Sequence, residues 1–209
     1  MGQFCTENGV RDRMKFLGTI KIVQVQRDRL KIGEKPNQFY KPDPLFTVDA
    51  LKLTPDGVVG MMSDGAEILD AHHKNHPHTR NVDNKNSISV GFSALYDQMR
   101  GRFGDTAKLG IAGENVIIEN AGDFDIHSLG SAIIIETSNG QKITLTVGKG
   151  IPPCRPFTRF MTKQPDLDGD ELENHLQFLS DGMRGFYLFL GDGANNPVIQ
   201  AGDKVYTVS

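Results

Sequence analysis

The segment Gly148-Lys149-Gly150-Ile151-Pro152-Pro153-Cys154-Arg155-Pro156-Phe157 joins a nucleophile to groups that could activate it. Three prolines fix φ on both sides of one cysteine, so the thiol is held rather than free to swing. Lys149, Arg155 and Arg159 lie close by in sequence. Cationic neighbours favour the thiolate, the form that attacks sulfur, carries a persulfide or binds a metal. The same residues also fit a buried structural cysteine beside a proline-rich turn, because free cysteines are commonly buried. The only other cysteine, Cys5, lies far away near the N-terminus and is read as incidental. Two cysteines exclude a disulfide scaffold and any all-cysteine zinc or iron–sulfur site.

Four of the six histidines, His72, His73, His76 and His78, fall within seven residues. Imidazoles at that density could bind a transition metal, with His72 and His73 as candidate ligands. Cysteine and acidic partners at ligand spacing are missing, so a polar loop that lends one histidine to a pocket remains the alternative. Asp166, Asp168 and Asp170 imitate the start of a calcium loop, but Glu171 replaces the required glycine and Gln177 the closing glutamate. Gly110-Ile111-Ala112-Gly113-Glu114-Asn115 precedes a β-branched run, where two glycines would let backbone approach a ligand. No Walker A, GxSxG or HExxH pattern occurs.

These residues need a scaffold, and composition and periodicity suggest its kind. The chain has 209 residues with a formal net charge of −3, which leaves no electrostatic footprint for nucleic acid or an anionic membrane. No apolar run approaches the ~20 residues that span a bilayer, and the N-terminus lacks a signal-like apolar segment, which predicts a cytoplasmic protein. Glycine at 23 residues exceeds the average and favours turns over long helices.

Residues 1–15 read as a loose leader and 16–209 as one domain. Strands are expected at 16–26, 45–53, 58–62, 87–90, 115–119, 132–137, 142–147, 184–190 and 204–208. Residues 63–86 read as a polar connection without period. Phe92, Leu95, Tyr96, Met99 and Phe103 share one helical face, and Leu172, Leu176, Leu179 and Met183 another, with Asp170 and Glu173 as a capping box. Asn139-Gly140 predicts a type I′ hairpin turn. Strands dominate and βαβ alternation is absent, so the expected fold is mostly β, a closed β-barrel with a few peripheral helices.

Taken together, four segments resemble the MOSC family, named for the C-terminal domain of molybdenum-cofactor sulfurases. They are Ser87–Val90 running into Leu95-Tyr96, then LGIAGENVIIE with Gly113, Glu114 and Asn115. IPPCRPF with Cys154 follows, and last come Arg184-Gly185 and Gly202-Asp203 in the closing strands. The resemblance covers residues 17–208 and implies a stand-alone domain with the barrel of the pyruvate-kinase-barrel type. The sequence departs from the family at a Gly-Asp-x-His element, because Gly57-Val58-Val59-Gly60 is followed by Met61-Met62-Ser63-Asp64. His72 or His73 stand nearest as substitutes.

The resemblance implies molybdenum cofactor (molybdopterin) as ligand, with Cys154 as the molybdenum ligand and Lys149, Arg155, Arg184, Gly185 and the Gly113-Glu114-Asn115 turn around it. It also implies pyridoxal phosphate binding. One expected function is reduction of N-hydroxylated compounds with electrons from a separate electron-transfer protein. Another is a sulfur carrier that exchanges a Cys154 persulfide with donor and acceptor proteins. A third is a ligand-binding barrel without chemistry.

Overall fold

The computed structural model describes residues 14–79, 88–121, 124–191 and 195–208. Along the chain, β1 (Met14–Gln26) leads into β2 (Lys31–Ile32) and β3 (Phe39–Tyr40), which pair as a small hairpin. Then come β4 (Leu45–Thr47), β5 (Ala50–Thr54), β6 (Gly57–Met61) and β7 (Glu67–Leu69). β8 (Ile88–Phe92) runs directly into α1 (Ser93–Phe103), followed by β9 (Val116–Asn120), β10 (Ala132–Glu136) and β11 (Lys142–Gly150). The remainder is α2 (Arg155–Thr162), α3 (Gly169–Phe178), β12 (Phe186–Leu190), β13 (Val198–Gln200) and β14 (Lys204–Val208).

Seven strands close on themselves in the order β1-β14-β10-β11-β12-β8-β9 and back to β1. Neighbours are antiparallel except β8 and β9, which run parallel and are bridged by α1. A parallel pair needs such a crossover, because a tight turn only joins antiparallel strands. β1 spans the barrel's seam: it pairs with β14, β9 and β4 in succession and bulges near Gly18 and Ile20. The barrel interior is filled by branched side chains including Ile20, Ile88, Val90, Ile118, Ile133, Ile135, Leu145 and Val205. On β11 the expected alternation holds, with Ile143 and Leu145 buried and Thr144 and Thr146 exposed.

A second sheet, β13-β5-β6-β7, lies beside the barrel. Its existence explains why the single strand expected at 45–53 is broken. β4 bonds to β1 and β5 to β6, and the chain changes sheet at Val48-Asp49, where Val48 donates to Val23 and Asp49 to Met61. β7 lies inside the stretch expected to have no regular structure, and Ser87 falls outside the described residues.

The five-residue face of α1 is buried as its spacing predicts. Tyr96, Met99 and Phe103 pack there with Phe157 and Met161 of α2 and with Leu30 and Tyr40, forming a second apolar cluster outside the barrel. α3 stops at Phe178, earlier than expected, and Asp168 occupies its N-cap without a side-chain bond, so Asp170 and Glu173 form no capping box. The β10–β11 hairpin turns as expected at Asn139-Gly140, but through a different geometry. Only Gly140 has positive φ, and its N–H bonds to Thr137 while Thr137 N–H bonds to Gln141. That is a type I turn followed by a bulge glycine, not type I′. Among the described residues no helix is long and apolar enough to cross a membrane.

Candidate functional site

The prolines around Cys154 do two different things. Ile151 still donates to the Gly185 carbonyl at 2.8 Å, so the chain leaves β11 tied to the turn before β12. Pro152 and Pro153 then lead to Cys154, the N-cap of α2, which is extended at φ −148° and ψ 143°. Pro156 lies in the first turn of α2, where a missing N–H removes no helical bond. The stretch read as a stiff loop is therefore half helix. The N–H of Thr158 closes the first turn on the Cys154 carbonyl at 3.0 Å.

The Cys154 thiol is half-buried, and its cationic neighbour is Arg184, not the residues adjacent in sequence. Arg184 Nη1 lies 3.6 Å from Sγ and donates to the Pro152 carbonyl at 2.9 Å, while Nη2 donates to the Ala112 carbonyl at 3.3 Å. Its guanidinium also stacks 4.3 Å from the Phe157 ring centroid. Arg184 is only 5% exposed, and its Nε has no hydrogen-bond partner. Arg155 instead faces Asp168 at 3.5 Å, Arg159 donates to the Leu167 carbonyl at 2.9 Å, and Lys149 is exposed on β11. Gly185, at φ +87°, is required by packing: a Cβ there would sit 2.0 Å from the Val90 carbonyl oxygen.

The Gly110–Asn115 turn is held from below by two glutamines of β1. Gln24 Nε2 donates to the carbonyls of Gly110 and Glu114 at 2.8 and 2.7 Å, and Gln26 Nε2 to that of Gly113 at 2.7 Å. Glu114 is fully buried and accepts the Tyr96 hydroxyl at 2.7 Å. Burial pushes its carboxyl up to about 7, against the Tyr96 bond and the charge of Arg184, which both favour ionisation. Asn115 is saturated by protein: its Oδ1 accepts Ser89 N–H and Oγ–H at 3.1 and 2.9 Å, and its Nδ2 donates to Asp70 at 2.9 Å. Glu114 and Asn115 thus build the wall, and Gly113 presents it to the cavity.

Sequence reading missed Asp70. It is wholly buried and collects the backbone N–H groups of Gln26 and His72 at 2.8 Å each, Asn115 Nδ2, and His72 Nδ1 at 3.0 Å. Burial works against its charge, but the His72 ring and these donors outweigh it and hold the carboxyl below its ordinary range. Burial likewise opposes charge on His72, and the bond to Asp70 and its charge raise that pKa, with Lys31 pressing the other way. The Asp-x-His spacing sought after β6 therefore exists after β7, as Asp70-Ala71-His72.

His73 is 5% exposed and turns away, its Nδ1 accepting the Asn75 N–H at 3.2 Å. His78 bonds to Asp28 at 2.9 Å and His76 to the Arg27 carbonyl at 3.2 Å. Among the described residues, no three His, Cys, Asp or Glu side chains converge as a metal site, so His72 and His73 are not brought together as ligands.

Arg184, Pro152, Tyr187, Tyr40, Gly113, Gln26, His72, Arg29, Lys31 and His78 enclose much of a cavity of about 230 Å³. Its charged lining is cationic, with no Asp or Glu among the described residues that line it. Cys154 is not one of the lining residues; its Sγ lies 3.6 Å from Arg184, which is. The lining offers an anionic ligand a buried guanidinium with one orphaned N–H and several outer cations.

No family model matches the chain, and no curated protein matches it. Among solved structures, YuaD from Bacillus subtilis aligns over 94% of this chain and 99% of its own, at 16% identity and a TM-score of 0.55. A hypothetical protein aligns over 94% of this chain and 70% of its own, at 12% identity and a TM-score of 0.51. YiiM from Escherichia coli aligns over 93% of this chain and 70% of its own, at 13% identity and a TM-score of 0.47. At such identities the likeness is one of fold alone.

Proposed function

We propose that this MOSC-like protein binds molybdenum cofactor in the Arg184-lined cavity, with Cys154 as the protein ligand to molybdenum. The observation that carries the reading is the Cys154 thiol 3.6 Å from a buried guanidinium, beside a cavity with a wholly cationic charged lining. When bound, the cofactor would supply two-electron redox chemistry, suited to reducing N-hydroxylated compounds with electrons from a separate protein.

The chain's own residues bind and orient. Arg184 donates to the Pro152 and Ala112 carbonyls and lies 3.6 Å from Sγ, so it fixes where the sulfur points. Tyr40 and Tyr187 line the cavity beside it, and burial pushes both hydroxyls up, so they remain neutral donors. Burial lifts the Glu114 carboxyl, behind Arg184, to about 7, so it gains and loses a proton near neutrality.

Molybdenum and pterin are expected to copurify with the wild type from cells that make the cofactor, and to be absent from Cys154→Ala. Metal-free wild type from such cells would overturn the proposal. A second reading, sulfur carriage, is favoured by the half-exposure of this thiol, free in the structure. It expects the Cys154 peptide to gain the mass of one sulfur atom after incubation with a desulfurase. An unmodified peptide removes it.

A further inference from the structure

The two faces of α2 meet different surroundings. Phe157, Thr158 and Met161 are buried, whereas Pro156, Arg159, Phe160 and Lys163 recur at i, i+3, i+4 and i+7 and so share the other face. That face lines a second cavity, of about 560 Å³, whose remaining wall comes largely from the β2–β3 hairpin. Phe39 of the hairpin is 55% exposed there, the most exposed large apolar side chain among the described residues. Tyr40 beside it is buried, with its ring 5.2 Å from that of Phe160 and its hydroxyl bonded to the Ile111 carbonyl at 2.7 Å, so this wall is fixed. Tyr40 is also the one residue that the second cavity shares with the lining of the Arg184 cavity.

Charge in the second cavity is left unmatched. Arg159 is anchored through Nε on the Leu167 carbonyl, and neither it nor Lys163 forms an ion pair among the described residues, although Asp166 also lines the space. Thr106, in the same lining, has a buried Oγ1 without a hydrogen-bond partner. Rings left in water beside unpaired cations gain most from a planar anion, which stacks on the first and neutralises the second. The volume falls within the roughly 300–1,000 Å³ of small-molecule sites, which likewise set a few polar groups among apolar walls.

We infer that the cavity between α2 and the β2–β3 hairpin binds a small aromatic carboxylate, its ring against Phe39 and Phe160 and its carboxylate toward Arg159 and Lys163. The site is distinct from the one assigned to molybdenum cofactor, because neither Cys154 nor Arg184 lines it.

The chain contains no tryptophan, so the emission of an indole ligand can be followed against it. Fluorescence anisotropy of indoleacetate titrated with the full chain tests the inference. Wild type is expected to raise the anisotropy to saturation, and Cys154→Ala to bind as wild type does. Phe39→Ala and Lys163→Gln are each expected to weaken binding about tenfold, the scale of one ring contact or one charge-assisted bond. Both side chains are exposed, so the exchanges leave the core intact, which circular dichroism verifies. Indoleacetamide, which keeps the ring and loses the charge, is expected to bind wild type about tenfold more weakly and to be indifferent to Lys163→Gln. No saturable binding by folded wild type, or undiminished binding by Phe39→Ala, overturns the inference. Equal binding of the acid and the amide overturns it too, by removing the role of the cations. Capture of a peptide ending in tryptophan, without capture of free indoleacetate, overturns it in favour of a protein terminus.

Discussion

Two buried carboxylates lie close to the cavity, and their environments drive them in opposite directions. Burial lifts the pKa of Glu114 from 4.5 to about 7, outweighing the Tyr96 hydroxyl and the charge of Arg184 that favour its anion. In that interval the folded protein keeps a proton that the unfolded chain has released. Its stabilising contribution, about 3 kcal/mol, is therefore complete below pH 4.5 and is lost as the pH rises through 7. Thermal melts are expected to fall between about pH 5 and pH 8 in wild type and to flatten in Glu114→Gln.

Asp70 has its pKa depressed, so its contribution is present above 3.8 and is lost as the pH falls through the folded value. Asp70→Ala would strand the N–H groups of Gln26 and His72 and the Asn115 amide, and is expected to lower the urea unfolding free energy by about 3 kcal/mol or more. Sequence pointed to Cys154, Arg184 and Gly113 at this scale. It missed Asp70, Arg29 and Lys31, because one of two Asp-x-His triplets and two scattered cations come together only when β1 and the loop after β7 meet.

Glycines separate the demands of the elements. In α1, a methyl group on Gly101 would meet no atom within 4 Å. Gly101→Ala is accordingly expected to stabilise the protein by about 0.5–1 kcal/mol in denaturant titrations, by removing backbone freedom from the unfolded chain. Gly185→Ala meets the Val90 carbonyl at 2.0 Å from a positive φ, and is expected to part β12 from β8 and cost several kcal/mol, read as loss of the cooperative melt. Strands and α1 were legible because their apolar spacing states a period. α2 was not, because Pro-Pro-Cys-Arg-Pro reads as a loop until the second half of that run is seen to supply the N-cap and first turn of a helix. Gly140 announced a hairpin, but the choice between type I′ and a bulge depended on how β10 and β11 register.

For the whole molecule, closure depends on strands from the two ends of the chain. β14 sits between β1 and β10, so a chain ending at Asp203 would expose two unpaired edges and open the core around Val205. Such a truncation is expected to show no cooperative unfolding transition in urea, whereas the full chain does. Pairings this distant in sequence also predict folding on the millisecond-to-second scale in stopped-flow experiments.

The order of residues alone set the class of the fold, most of its strands and the candidate thiol, because these depend on local periodicity and residue chemistry. Which cation faces that thiol, which carboxylate steadies His72 and what lines the cavity were decided by closure of the barrel. Those contacts join residues tens of positions apart, and only the three-dimensional path of the backbone brings such distant groups within bonding range.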